Sequence, residues 1–302
     1  MLSPVAMTQS RLHLVDGTFE LFRAHFSPRP SHRAPDGRDN KATVGVISSL
    51  IALLQDPDEA VTHLAIAFDN PIVSFRNRLL EGYKSDEGVD PALRAQFDAV
   101  EDACRALGVV VWSMGEWEAD DALATAAARF AGKVGQVRIL TPDKDLGQCV
   151  RGTEVVQVDR IRQRVIDEAG VREARGVAPA SIPDFLALTG DTADGIPGVP
   201  GFGAKTAAAL LAHYGHLEAI PDDPDAWAVK IRGAARLAQT LSERRADALL
   251  YRRLATVVTD VPLREDLEAL RYRGAPREDF ERFCEREGAR GLLSRQTLWA
   301  AG

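Results

Sequence analysis

Val109-Val-Val-Trp-Ser-Met-Gly-Glu-Trp-Glu118-Ala-Asp120-Asp121-Ala-Leu-Ala-Thr-Ala-Ala-Ala-Arg-Phe130 is the stretch on which the fold turns. Residues 109–112 form a β-branched and aromatic run of strand character, and residues 119–130 are an Ala-rich helix. A further apolar strand, 137–141, follows. The same alternation surrounds this stretch. Residues 11–16 read as a strand running into a turn at Gly17, 43–54 as a helix stopping before Asp56-Pro57, and 63–68 as a strand ending at Asp69-Asn70-Pro71. Residues 91–107 are amphipathic and helical with Gly108 as their stop, and 154–158 form a fifth strand. Strand, helix, strand repeated in this way means crossover units and a mainly parallel sheet covered on both faces.

Beyond about residue 178 predicted helices take over, at 180–188, 204–214, 227–231, 234–254 and 277–287. The expected organisation is therefore an α/β domain over 1–178 and a helical domain over 179–302. The charged, Gly-interrupted segment 76–91 reads as a surface loop or as a mobile arch, and its composition leans to the loop.

With 302 residues, 45% hydrophobic and 27% charged, the chain is long enough to bury a sizeable core and is not globally disordered. Its apolar stretches fall far short of a membrane span. Residues 1–10 carry no charge and lead into no apolar run of signal-peptide length, so a cytoplasmic protein is expected. Three cysteines, Cys104, Cys149 and Cys284, lie at distant positions that fit thiols better than a disulfide framework or a zinc site. The net charge of −7 argues at first against a nucleic-acid partner. The average misleads, because nine of the 44 acids fall in one candidate site. Against the remaining 35, the 37 Lys and Arg leave +2.

In an open parallel sheet, ligands bind outside the carboxyl ends of the strands. Asp16, Asp69 and Asp143 each follow a predicted strand, and Glu118, Asp120 and Asp121 open a helix after another. Any one of them is ordinarily a turn or capping residue. Dipole complementation at a helix N-terminus explains one or two acids, not this many on one edge. Asp145 stands two residues beyond Asp143, and Asp191 and Asp194 are one helical turn apart before a Gly/Pro-rich segment. Crowded carboxylates repel, and divalent cations are the simplest counter-charge. An all-oxygen set without His or Cys suits Mg²⁺ or Mn²⁺, and nine carboxylates exceed what one ion needs. Two ions imply metal-assisted hydrolysis of a phosphoryl or phosphodiester group.

Gly195-Ile-Pro-Gly198-Val-Pro-Gly201-Phe-Gly203-Ala-Lys205-Thr206 is not a Walker A loop, because Ala204 separates Gly203 from Lys205 and no strand leads into it. Its glycines let backbone amides approach a phosphate, the next helix adds its positive dipole end, and Lys205 and Thr206 add a charge and a hydroxyl. The alternative is a plain helix–helix turn. Basic residues gather downstream at Lys230, Arg232, Arg236, Arg244, Arg245, Arg252 and Arg253. Most read as solvated helix faces, some as a continuation of a phosphate track. Trp112, Phe130, Trp227, His13 and His63 read as structural.

In combination, VDG at 15–17, FD at 68–69, FR at 75–76, YK at 83–84, EADD at 118–121, DKDLGQ at 143–148 and GDTADGIPGVPGFGAKTA at 190–207 resemble the bacterial 5′-3′ exonuclease and flap endonuclease family. The likeness runs over about residues 12–263 and includes the nuclease domain of DNA polymerase I, and a free-standing nuclease is expected. It implies a PIN-like α/β domain with a mainly parallel sheet flanked by helices, then a helical domain with a helix–three-turn–helix DNA-binding region over about 181–221. It implies that Asp16, Asp69, Glu118 and Asp120 surround one metal, and that Asp143, Asp145, Asp191 and Asp194 serve a second, with Asp121 nearby, partly through water. Arg76 and Lys84 are implied at the base of the arch, contacting the scissile phosphate. Gly198, Gly201, Gly203, Lys205 and Thr206 are implied to grip duplex DNA, with a K⁺ ion at the hairpin. The implied protein is a monomeric, membrane-free DNA replication and repair nuclease acting on 5′-flap, nicked or gapped duplex.

Two departures stand out. The family's YKxxR places an arginine where this chain has Glu87, so weaker threading of a 5′ single strand is expected. Asp194-Gly195 replaces the usual DN and keeps the carboxylate. A PIN-type ribonuclease explains the acids but not the hairpin or the helical half, and a DNA-binding protein without activity leaves nine acids without a role.

Overall fold

The computed structural model describes residues 10–301, so the expectation of no leader segment falls largely outside it. The chain forms two compact units. Unit 1 comprises Met1–Ile72, Asp86–Thr141 and Thr259–Gly302, and unit 2 comprises Val73–Ser85 and Pro142–Val258.

Unit 1 contains β1 (Arg11–Asp16), α1 (Gly17–Phe26), α2 (Lys41–Leu54), β2 (His63–Asp69), α3 (Pro91–Arg94), α4 (Phe97–Ala106), β3 (Val110–Met114), α5 (Ala119–Phe130) and β4 (Gln136–Leu140). The strands run in the order β3-β2-β1-β4, all parallel. Every residue of β2 and all but the first of β1 are buried, as expected of strands covered on both faces. Asp16 lies opposite Ala67 and Asp69 opposite Met114, so the two strand-end acids stand on one edge. His13, His63, Trp112 and Phe130 are buried, as expected.

The predicted helix 91–107 is interrupted. The Gln96 carboxamide is buried and accepts from Thr43 N (3.0 Å) and Thr43 Oγ1 (3.2 Å), and this tertiary demand breaks α3 from α4. The turn expected at Gly17 is the start of α1. A Cβ at Gly17 would meet the Phe68 ring at 2.6 Å and Ala67 O at 2.7 Å, so only glycine fits between β1 and β2.

Unit 2 contains an antiparallel pair, β5 (Val155–Asp159) and β6 (Arg164–Ile166), then α6 (Glu168–Arg175), α7 (Ile182–Thr189), α8 (Ala204–Tyr214), α9 (Ala234–Glu243) and α10 (Arg245–Ala255). Its own core includes Phe185, Leu188, Val199, Phe202, Leu210 and Leu241. The helix expected at 227–231 is absent. A single 3₁₀ turn, Pro224–Ala226, precedes Trp227, whose indole donates to Pro221 O (2.8 Å) and turns the chain back. The helix expected over 234–254 is two helices, because Arg245 reaches back to Leu217 O (3.1 Å) and Asp222 (2.8 Å) and bends the chain at Arg244.

The chain's last segment adds α11 (Arg277–Arg286) to unit 1. Leu64 N donates to Leu270 O (2.8 Å) and Tyr272 N to Thr62 O (3.0 Å), joining this tail to the start of β2. Buried Asn40 donates to both the carbonyl and a carboxylate oxygen of Glu287 (2.9 Å each). Among the described residues no helix is long and apolar enough to cross a membrane, and all three cysteines are free thiols.

Candidate active site

The acids of unit 1 are built into its backbone. Asp16 caps α1, its Oδ1 accepting from Phe19 N (2.9 Å) while Oδ2 accepts from Thr141 Oγ1 (2.9 Å). Asp69 N donates to Thr18 Oγ1 (2.8 Å), and Asp69 Oδ1 accepts from Ala119 N (2.8 Å), the first amide of α5. Glu118 is the N-cap of α5 and forms a reciprocal capping box with Asp121, whose Oδ2 accepts from Glu118 N (3.0 Å). Asp120 lies half-buried on the same first turn. Asp16, Asp69, Glu118 and Asp121 are all buried. The positive end of the α5 dipole and the backbone amides offset part of their charge. Sequence reasoning missed Thr18 and Thr141, the two hydroxyls that hold Asp69 and Asp16. Their signal was position: each lies within two residues of a strand-end acid.

The acids of unit 2 sit in loops, except Asp145, which lies in the first turn of a 3₁₀ helix, Lys144–Cys149, with Asp143 as its N-cap. Asp143 is exposed and accepts from Asp145 N (2.9 Å). Asp145 is buried, and its Oδ1 accepts no hydrogen bond. Burial, followed by the charges of Asp143, Asp194 and Asp191, pushes the Asp145 carboxyl up to about 8, with Lys144 opposing. Asp191 accepts from Ala193 N (2.9 Å), pairs with the Lys144 ammonium, and closes its loop through two 2.8 Å backbone bonds with Ile196. Burial pulls Lys144 down, but its bond to Asp191 and the surrounding acids outweigh this and raise it. Lys144 is a third residue that sequence reasoning passed over, although it lies inside the DKD motif.

Lys84 and Asp194 are brought together, Lys84 N donating to Asp194 O (3.2 Å). Asn77 Nδ2 holds the carbonyls of Tyr83 (3.1 Å) and Lys84 (2.7 Å). The chain from 79 to 90 is turns, with a 3₁₀ turn Phe75–Arg78 before it and the single-turn α3 after it. Arg76 is buried, and its guanidinium donates to Leu254 O (2.8 Å) and Thr256 O (2.9 Å) at the C-terminal end of α10. There it satisfies carbonyls that the helix leaves open and meets the negative end of its dipole. Gln148 does the same for Ala255 O (3.0 Å).

Among the described residues, no three Asp, Glu, His or Cys side chains stand close enough to enclose an ion. Mutual repulsion opposes such convergence without a cation. The donor set fits one all the same. It is all oxygen, and Asp145 offers a buried, unpartnered oxygen whose ionisation the neighbouring acids resist.

The segment between α7 and α8 has two faces. Val199 and Phe202 are buried, and Val199 N donates to Leu188 O (2.9 Å). Gly198 and Gly201 adopt positive φ (74° and 89°), and a Cβ at Gly198 would meet Gly190 N at 2.5 Å. Gly201, Gly203 and Lys205 are exposed and Thr206 is half-buried, with Gly203 as the N-cap of α8. The exposed face therefore combines bare backbone, a helix N-terminus and an ammonium.

The solved structures of T5 5′-exonuclease share this fold. One with bound zinc aligns with a TM-score of 0.63 at 18% identity, covering 94% of this chain and 98% of that one. The catalytic core of Rad2 in complex with DNA substrate aligns with a TM-score of 0.60 at 14% identity, covering 96% and 91%. DNA polymerase I of Pseudomonas aeruginosa is 38% identical over 283 residues, 90% of this chain, and that of Mycobacterium leprae is 34% identical over 303 residues, 98% of this chain. The chain spans 30% and 32% of those two proteins. Residues 11–176 match the 5′-3′ exonuclease, N-terminal resolvase-like domain, and residues 177–278 the 5′-3′ exonuclease, C-terminal SAM fold. Both halves of one nuclease are thus matched in order and without a gap, and the chain belongs to the 5′-3′ exonuclease family.

Proposed function

We propose that this protein is a structure-specific DNA 5′-nuclease, a 5′-3′ exonuclease and flap endonuclease that uses two Mg²⁺ or Mn²⁺ ions in DNA replication and repair. Asp16, Asp69, Glu118 and Asp120 would hold one ion, and Asp143, Asp145, Asp191 and Asp194 the other, with Asp121 nearby. When bound, the ions supply Lewis-acid stabilisation of phosphodiester charge and a water of lowered pKa. The protein's own part is positional. Thr18 and Thr141 fix the orientation of two carboxylates, and Lys84, tied to Asp194, adds a cation for the scissile phosphate. Arg76 holds the end of α10 and positions that framework. The hairpin over 198–206, within a helix–three-turn–helix region, grips the backbone of 5′-flap, nicked or gapped duplex and carries a K⁺ ion. We place the protein in the cytoplasm as a monomer.

The observation that carries this reading is Asp145, a buried carboxylate with an orphan oxygen among Asp143, Asp191 and Asp194. The neighbours support it, since T5 flap endonuclease is described with DNA and metal ions, and GEN1 with Holliday junction DNA. The test is incubation with 5′-flap, nicked, gapped and single-stranded DNA, and with RNA, in Mg²⁺, Mn²⁺ or EDTA. Cleavage at 5′ DNA ends or junctions that EDTA abolishes is expected. Cleavage that persists in EDTA, or of RNA alone, would overturn the reading.

A further inference from the structure

The seven basic residues downstream of the hairpin divide into two groups. Arg244 pairs with Asp247 (3.1 Å), Arg245 with Asp222, and Arg252 with Asp184 (3.3 Å) and Glu218 (2.6 Å). These three are spent inside unit 2. Lys230, Arg232, Arg236 and Arg253 are exposed and make no ion pair among the described residues. Of these four, Arg236 has a defined neighbour. A Cβ on Gly201 would stand 3.2 Å from Leu237 Cδ2 and 3.7 Å from Arg236 Nη2. Leu237 is buried, so the first turn of α9 is packed against the hairpin with Arg236 at its exposed edge.

From this juxtaposition we infer that Arg236 is a second phosphate anchor beside the hairpin, binding the backbone of the same duplex that Lys205 contacts. The inference rests on the function proposed above and extends the duplex-binding surface from the hairpin onto α9. An exposed guanidinium without a carboxylate partner is a strong, planar, bidentate phosphate donor. Its position next to positive-φ Gly201 puts it where a backbone held by Gly203 and Lys205 would continue. Phosphate is the partner class because the exposed groups beside Arg236 include the bare backbone of Gly201 and Gly203 and the Lys205 ammonium.

The experiment measures duplex binding in EDTA, over a salt series, for wild type, Arg236→Ala, Arg236→Lys, Lys205→Ala and the Arg236→Ala/Lys205→Ala pair. Arg236→Ala is expected to weaken binding about five- to tenfold at low salt, equally for unrelated sequences, and to lower the slope of log K against log salt by about one. Arg236→Lys should keep the slope, and the double variant should lose about two. Thermal melts check that the exposed substitutions leave the fold intact. An unchanged slope for Arg236→Ala, beside wild-type binding and metal-dependent cleavage, overturns the anchor and leaves the nuclease reading standing. If the wild type neither binds duplex nor cleaves DNA, both fall.

Discussion

In unit 1, Asp16, Asp69 and Asp121 each accept a backbone amide, and all three begin or brace a helix. In unit 2, Asp145 is buried with one oxygen unpartnered, and Asp191 leans on Lys144 for its counter-charge. The two sets have the same proposed role, but among the described residues only unit 2 holds a buried carboxylate oxygen without a hydrogen bond. The unit 1 acids stabilise the structure that presents them, whereas Asp145 costs stability while no cation is present. Strain of that kind concentrates where function demands it.

The largest effect expected treats the two sets alike. Asp16→Ala or Asp143→Ala should each lower cleavage of a 5′-flap substrate by about 10³-fold or more, since metal-assisted stabilisation is worth several kcal/mol. Duplex binding by Asp143→Ala should persist or improve, because a negative charge near the phosphate is removed. Near-wild-type turnover in Mg²⁺ by either variant would break the pairing of roles.

Stability should then separate the sets. Asp69→Ala leaves the Ala119 amide without its acceptor in a buried setting and should cost about 1–3 kcal/mol. Arg76→Ala opens two carbonyls at the end of α10 and should cost a similar amount. Asp145→Asn should instead raise the metal-free Tm by about 2–4 °C or more, the equivalent of at least about 1 kcal/mol. Denaturation in EDTA reads all three. An Asp145→Asn variant less stable than wild type there would remove the contrast.

A pH series sharpens the same comparison. Asp145 is held up to about 8 in the fold against 3.8 in its ordinary state, so between those values the folded chain binds the extra proton. Its penalty therefore grows as pH rises through that window, and the advantage of Asp145→Asn in EDTA should be larger at pH 8 than at pH 5. Mg²⁺ should shrink it, since an ion that binds only the folded wild type stabilises that state. In unit 1 the sign is reversed. Glu59, bonded to His13 (2.9 Å) and paired with Arg138, is held down to about 2, while burial lowers His13. Both favour the fold at neutral pH and withdraw that support as pH falls, His13 first from about 6.5 and then Glu59 below 4.5. Glu59→Gln should flatten the acid limb of the stability curve and leave the region above pH 7 unchanged in shape.

Much of this was legible in the chain. Alternating apolar runs place β1 to β4, and the strand-end rule finds Asp16 and Asp69, because a doubly covered parallel sheet leaves a strong local pattern. What escaped was set by tertiary bonds. Nothing near Gln96 announces that its carboxamide serves Thr43, and nothing near Arg245 announces carbonyls at 217 and 220. Arg76 looks in sequence like a cation bound for a phosphate, and only the fold shows it committed to Leu254 and Thr256. Lys144 was hidden by its own motif, since a lysine between two aspartates reads as solvent-facing until Asp191 is placed beside it.

The smallest expected effect tests the segment where this chain departs from its family. Arg76 and Lys84 do not share a helical face, because residues 79 to 90 are turns, and Arg76 is turned inward. Lys84, whose backbone amide meets Asp194, is half-buried, with exposed Asp86 and Glu87 immediately after it. At residues 84–87 an approaching 5′ single strand therefore meets one positive charge and two negative ones. Glu87→Arg reverses one of the two, and exposed charges of this kind are worth well under about 1 kcal/mol each. The expected gain is accordingly modest, about two- to fivefold in cleavage of a long 5′ flap at low salt, with less gain at a nick, where no single strand passes the segment. It should fade as salt approaches 0.15 M, where screening acts over about 8 Å. Lys84→Ala should slow both substrates. Equal gains on flap and nick would mean that Glu87 acts on general attraction to DNA, and no gain at low salt would mean that the strand does not pass residues 84–87 at all.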